Sequence, residues 1–226
     1  MAKKFRAYAL GSEGHNTVLI DHNGQSAGPA IASAALDHHS YKIVDAFDFA
    51  TGSFDRYKNI NGNVKHQRSV LYVRGDFWVV VDRIITDRSR NIETLWHWHP
   101  DCIVEKEESV VQTNNTEGNL AIIPVGQHNF KINLIKGQEK PNIQGWYSSM
   151  YNLFTPNITS IYSTDINTSS TFVWILQPSK SKISLLKAKI ISDNEKAVKI
   201  KVKSKNHDYK ITIPYYSSEG ISFVKK

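Results

Sequence analysis

Two histidines stand at the mouths of apolar, β-branched runs. His15 opens Gly14-His15-Asn16-Thr17-Val18-Leu19-Ile20-Asp21, and His66 lies in Gly62-Asn63-Val64-Lys65-His66-Gln67-Arg68-Ser69-Val70-Leu71-Tyr72-Val73. Such runs are strand signals. A histidine where a strand begins is held by the sheet yet can reach solvent or a ligand. Two such strands in one sheet could aim both imidazoles at one metal or one substrate. A carboxylate beside them would complete a two-histidine, one-carboxylate metal set. Asp45 is the candidate, because it ends the run Tyr41-Lys42-Ile43-Val44 at a similar strand-to-loop position. These three residues are far apart in sequence, so they form no local metal motif and are only compatible with adjacent strands.

Other residues could meet a substrate. His97 and His99 alternate in Leu95-Trp96-His97-Trp98-His99-Pro100. On a strand they share one face and Trp96 and Trp98 share the other. That pattern fits a buried aromatic face under a polar exposed one. It also fits a pair of imidazoles on an open face, apt for a metal or a sugar acid. Tyr57 follows Asp55-Arg56 in a loop before the His66 strand. A desolvated or paired phenol there could act as acid or base, whereas an exposed loop aromatic would not. Trp146, Tyr147 and Tyr151 cluster in one segment and suit either stacking on sugar rings or capping a core. Arg68 faces the same side as His66 and could meet an acidic substrate. Pairing with a carboxylate is the simpler expectation.

The elements that must position these groups are strands. Period-two or apolar runs predict strands over 6–10, 17–21, 41–47, 68–74, 77–84, 93–99, 104–112, 120–125, 130–136, 160–163, 171–177, 183–190, 197–203 and 209–213. Arg74-Gly75-Asp76 reads as a compact hairpin turn. Residues 30–36, Ala-rich and following Gly28-Pro29, are the best short helix candidate. Residues 145–159, with aromatics and Pro156, read as a long ordered loop of the kind that often carries function. No repeat or linker divides the chain, so one domain over 1–226 is expected. Many short strands at this spacing predict an all-β, large antiparallel sandwich.

Composition narrows the class. The 226 residues are 40% hydrophobic and 11% aromatic, enough for a real core. A net charge of +7 favours a polyanionic partner or simply reflects a surplus of solvated lysines near the C-terminus. No nucleic-acid-binding signature accompanies the charge. The one cysteine, Cys102, excludes an internal disulfide and any cysteine-based zinc site, and is expected to be a small buried residue. No apolar run reaches the length of a membrane span. Met1-Ala2-Lys3-Lys4 is basic but lacks the apolar stretch of a signal peptide. The abrupt start on structured-looking sequence suggests a fragment or a downstream start.

Four blocks together resemble the C-terminal β-domain of the heparinase II/III-like polysaccharide lyases. They are His15-Asn16-Thr17-Val18-Leu19-Ile20-Asp21 with Gly24-Gln25; Val64 to Val73 continuing through Phe77-Trp78-Val79-Val80-Val81-Asp82; Trp96-His97-Trp98-His99-Pro100; and Gly145-Trp146-Tyr147-Ser148 with Tyr151. Their order and spacing are more specific than any one block. The resemblance implies a supersandwich-type antiparallel domain that pairs with an N-terminal (α/α) toroid, which this chain lacks. It implies β-elimination on uronic-acid glycans of the heparan, glycosaminoglycan or alginate type, in a periplasmic or secreted parent. The chemistry must neutralise the uronate carboxylate, remove the C5 proton and protonate the leaving oxygen.

In such enzymes the toroid supplies an Asn or His for the carboxylate and a principal Tyr. The β-domain adds a His, and several members hold a structural zinc. Matched block by block, the zinc ligands are His15, Asp45 and His66, with Asp37 or Asp48 as substitutes for Asp45. Tyr57 falls near a cleft-lining tyrosine, and it joins His15 as a catalytic candidate. His97, His99, Arg68, Trp146, Tyr147 and Tyr151 are the substrate-binding candidates. Some relatives carry a catalytic His two positions before the metal-binding one. Here that position is Glu13, so His15 stands open between the catalytic and the metal role. Three readings follow: half of a lyase, a non-catalytic acidic-polysaccharide-binding module, or a structural β-domain.

Overall fold

The computed structural model describes residues 2–26 and 37–226. A helix, α1 (Ala2–Leu10), opens the chain. The strands follow: β1 (Val18–Ile20), β2 (Tyr41–Ile43), β3 (Phe47–Phe54), β4 (Val64–Val73), β5 (Trp78–Thr86), β6 (Arg90–His97), β7 (Val104–Glu107), β8 (Val110–Thr113) and β9 (Asn119–Val125). After these come β10 (Lys131–Lys136), β11 (Trp146–Met150), β12 (Leu153–Pro156), β13 (Ile158–Ile166), β14 (Ser170–Ser179), β15 (Lys187–Asp193), β16 (Ala197–Lys203), β17 (Asp208–Pro214) and β18 (Ser222–Lys225).

The strands form three packed layers and a separate two-stranded sheet, β11-β12. The central sheet has eight strands, ordered β2-β3-β4-β5-β14-β9-β8-β7. A four-stranded sheet, β1-β6-β13-β10, covers one face, and β15-β16-β17-β18 covers the other. The alternation of side chains along a strand divides the core. Leu71, Val79 and Val81 pack with Ile200 and Ile211 on one side. Val64, Val80, Ile84 and Trp174 pack with Ile92, Trp96 and Tyr162 on the other. A strand covered on both faces must be apolar at consecutive positions, which explains Val79-Val80-Val81. The expected antiparallel β-sandwich is present, with a third layer added. Among the described residues no helix is long and apolar enough to cross a membrane.

Several expectations are corrected. Residues 6–10 belong to a helix, not a strand. Ala2, Ala7, Ala9 and Leu10 favour helix, and the spacing of Phe5 and Tyr8 places both on one buried face. Residues 41–47 split into β2 and the start of β3, because the Val44 N–H bonds to the Phe47 carbonyl and closes a turn. Residues 104–112 split likewise around Glu108, whose φ of 50° opens a two-residue turn. Residues 145–159 are not a loop. They form the β11–β12 hairpin and enter β13. Met150 faces Leu153 across a two-residue turn, and Asn152 supplies its left-handed conformation at φ 61°. Gly145 starts the hairpin at φ 77°, where a Cβ would lie 2.6 Å from the Ile135 carbonyl oxygen. The helix expected over 30–36 lies outside the described residues. Cys102 is a free, half-buried thiol.

Candidate functional site

His15 lies in the short connection between α1 and β1. A 3-10 turn, Ser12–Gly14, sets its direction. Gly14 is required there, since a Cβ would sit 2.6 Å from the Tyr8 carbonyl oxygen. The His15 Nδ1 donates to the Gly11 carbonyl at 2.7 Å. A carbonyl can only accept, so Nδ1 carries a proton, and in the neutral imidazole the lone pair is on Nε2. The ring is exposed and lines an open cleft of about 630 Å³ with Ala7, Leu10, Gln25 and Lys58. The floor is fixed by the Gln25 N–H, which donates to Ser12 Oγ at 2.8 Å. The Lys58 N–H bonds to the Gly24 carbonyl at 3.2 Å.

His97 holds the chain on both sides of His15. It projects from the end of β6 on the outer side of its sheet, and its Nε2 donates to the Glu13 carbonyl at 3.1 Å. The Asn16 Oδ1 accepts the His97 main-chain N–H at 2.7 Å and lies 3.1 Å from the ring Nδ1. Gln144 donates to the same Glu13 carbonyl at 3.1 Å. Its Oε1 accepts from Tyr8, Thr159 and the Gly145 N–H. Burial pushes the His97 imidazole down to about 4, outweighing its hydrogen bonds with the Glu13 carbonyl and Gln144. A neutral ring is therefore the resident form.

The Asn16 main chain continues this network inward. Its carbonyl accepts from Arg68 Nη1. Arg68 Nε and Nη2 donate to the two oxygens of Asp82 at 2.6 and 2.9 Å. His66 Nε2 donates to Asp82 Oδ1 at 2.6 Å, and Trp174 Nε1 to Oδ2 at 3.1 Å. The strand register explains the pairing, because Arg68 faces Asp82 directly across β4 and β5. Asp82 is fully buried. The opposing Arg68 charge and the His66 hydrogen bond outweigh desolvation and hold its carboxyl well below the usual range. Arg68 also lies over the Trp96 ring, 5.6 Å from its centroid.

The expected metal set is not brought together. Phe54 pairs with His66 and Phe47 with Val73, so Asp45 lies beyond the far end of β4. Seven residues of strand separate those ends, about 23 Å. Asp48 pairs there with Arg74 at 2.5 Å. Asp37 sits with His38 and His39, apart from His15 and His66. His66 itself is committed to Asp82. The residues His15, Asp45 and His66 as placed do not fit a zinc ion.

Tyr57 is largely buried, and its hydroxyl has no well-formed hydrogen bond. Burial pushes the phenol up, with the Asp82 charge adding to it and Gln25 and Arg68 opposing. It lines a second cleft of about 500 Å³ with Asp55, Lys65 and Asp87. The loop carrying Tyr57 and Lys58 thus separates that cleft from the one at His15.

The remaining candidates gather on the β11–β12 hairpin. The His99 and Tyr147 rings meet edge to face at 5.2 Å, and both are exposed, as are Met150, Tyr151 and Leu153. Trp146 is half-buried. It donates to the Gln138 carbonyl at 2.9 Å and packs on Phe5 at 5.0 Å. Helix α1 rests on the hairpin through Phe5 and Tyr8, while Ala7 and Leu10, on its other side, line the His15 cleft. Trp96 and Trp98 are buried, as their alternation with the histidines predicts.

Sequence reasoning did not reach Asn16, Asp82, Gln144 or Lys58 as members of this arrangement. Asp82 carried a signal: a carboxylate inside an apolar strand requires a buried partner. Gln144 carried none.

The comparisons with known proteins agree with this architecture. The family described as heparinase II/III-like, C-terminal, matches residues 2–199. No curated protein matches the chain. Among solved structures it is similar to the heparan sulfate lyase HepC of Pedobacter heparinus, with a TM-score of 0.72 and 18% identity over 94% of this chain. It is also similar to a heparinase III gene product, with a TM-score of 0.70 and 16% identity over 99% of this chain. A further heparinase III structure gives a TM-score of 0.68 and 17% identity over 93%. The chain spans about a third of those proteins, 32%, 32% and 31% of their lengths. At these identities the likeness shows the fold, and the family match identifies the chain as a member of the heparinase II/III-like family, carrying its C-terminal domain.

Proposed function

We propose that residues 1–226 form one β-domain that supplies one wall of a lyase cleft acting on uronic-acid glycans of the heparan or glycosaminoglycan type. The carrying observation is His15: an exposed imidazole that lines an open cleft, with its Nδ1 proton tied to Gly11, so that its neutral form offers Nε2 as the base. The solved relatives named as heparan sulfate lyase support the substrate class.

In the elimination, His15 Nε2 takes the C5 proton. The electrons of that C–H bond form the C4–C5 double bond as the C4–O bond breaks. The leaving oxygen takes a proton from an acid on the opposite wall, which the resemblance assigns to a helical toroid. Lys58 lines the cleft beside His15, so it offsets the charge of the uronate. The exposed Tyr147 and Tyr151 and the neighbouring His99 supply stacking and docking surface beside α1. Periplasmic or secreted placement follows from the same proposal, because sulfated and uronate glycans are extracellular substrates.

Product analysis tests the reading. Elimination leaves an unsaturated uronate at each new end, whereas hydrolysis adds one water and leaves saturated ends. Mass spectrometry of heparan sulfate digested by the longest protein that includes this chain should find the unsaturated ends. Saturated ends alone contradict the reading.

A further inference from the structure

We propose that Asp37, His38 and His39 form a binding site for a divalent transition ion of the zinc class. The site lies at the edge of the central sheet, where the chain turns into β2. One ligand atom from each of the three residues lies within 4.8 Å of the others. Two imidazoles and one carboxylate are a suitable donor set for zinc, leaving a fourth position for water.

The arrangement has its own support. The 3-10 turn His38–Ser40 places the histidines consecutively, and their ring centroids are 3.9 Å apart. Asp37 caps this turn, its Oδ1 accepting the His39 N–H at 2.9 Å while lying 3.7 Å from His38 Nδ1. The Ser40 hydroxyl and N–H both donate to the Asp37 carbonyl. Glu219 approaches from the segment before β18, with Oε1 3.0 Å from His39 Nδ1. A carboxylate on one ring nitrogen orients the ring and leaves Nε2 as the metal-facing lone pair. This is the outer-shell arrangement usual for metal-bound histidine. The Ser218 N–H donates to the His39 carbonyl at 2.6 Å, so the two segments already touch. The side chains are exposed, 79% for His38 and 67% for Asp37. They can rotate inward to the shorter ligand spacing of a bound ion without disturbing any core.

The consequence is a clip. A zinc ion held here joins the edge of the eight-stranded sheet to the C-terminal four-stranded sheet through Glu219. The site is independent of His15 and of the lyase reading, and its test is also independent of activity.

Zinc chloride titrated into the 226-residue chain, with a chromophoric chelator competing, measures stoichiometry and affinity. The expected result is one zinc per chain and a raised melting temperature. Affinity should fall about tenfold or more in His38→Ala and His39→Ala and about tenfold in Glu219→Gln. His15→Ala should bind zinc as the parent does. Because all four positions are exposed or half-buried, these variants keep the fold, which circular dichroism checks. No zinc uptake overturns the proposal. Uptake that survives in the His38→Ala, His39→Ala double variant, or that is lost in His15→Ala, overturns it equally.

Discussion

His15 and His97 divide the work at the cleft. His15 presents the free nitrogen, and His97 clamps the main chain at Glu13 and Asn16 on either side of it. Removing the His15 imidazole in the active enzyme should lower the turnover rate by about 10²- to 10⁴-fold. Steady-state rates on heparan sulfate check this, with little change in melting temperature because the ring is exposed. His97 carries a pH signature instead. Its folded value, about 4, lies below the ordinary 6.5. The neutral ring therefore contributes stability that is fully present above about pH 6.5 and is lost as pH falls towards 4, with a slope up to about 1.4 kcal/mol per unit. His97→Gln should flatten that slope in urea unfolding curves. An unchanged slope would contradict the assignment. Asp82 is the residue the interior depends on. Asp82→Ala leaves the buried His66 and the half-buried Arg68 without their carboxylate and should cost about 3 kcal/mol, read from the unfolding midpoint. The pairing of Arg68 was legible in the sequence, because an arginine on a half-buried strand needs a carboxylate. The fate of His66 was not. Its position at a strand mouth says nothing of the face it takes, and the register across β5 decides that.

The β11–β12 hairpin and α1 are the elements where sequence reading failed, and for physical reasons. Neither stands alone. The helix has nine residues, short for independent stability, and it forms because Phe5 and Tyr8 find Trp146, Phe154 and Gln144. A period-two reading of residues 6–10 cannot see a partner more than a hundred residues away. The hairpin was hidden by its aromatics and Pro156, which sits at the end of the edge strand β12, where its missing N–H costs little. Strand β14 and the stretch Val79-Val80-Val81 of β5 were legible because both faces of the central sheet are buried there, so their apolar runs are continuous, whereas the polar residues Lys65 to Ser69 hid the first half of β4. Phe5→Ala should release α1, at a cost of about 3 kcal/mol. Hydrogen exchange should then show lost protection over residues 2–10 and unchanged protection in β4, β5 and β14. The exposed Tyr147, Met150 and Leu153 form an apolar patch beside this helix. Serine at all three positions should leave the melting temperature nearly unchanged, within about 0.5 kcal/mol per site. It should reduce self-association of the chain in sedimentation runs.

Three stacked antiparallel layers make the whole molecule a rigid support for one open edge. The central sheet is covered on both faces, and the polar chain from Tyr8 through Gln144, His97, Asn16 and Arg68 to Asp82 ties the N-terminal segment to the interior. The cleft at His15 is thus fixed from behind and, among the described residues, open in front. The sandwich class was legible from strand spacing alone. The third layer was not, because which sheet a strand joins depends on long-range pairing. The most direct measurement of the central claim is the ultraviolet absorbance of the new carbon–carbon double bond, followed as the longest protein containing this chain acts on heparan sulfate, hyaluronan, chondroitin and alginate. The account predicts a rise on at least one glycosaminoglycan, lost in His15→Ala while the fold remains intact. No rise on any of these glycans, or a rise that His15→Ala leaves untouched, would contradict it.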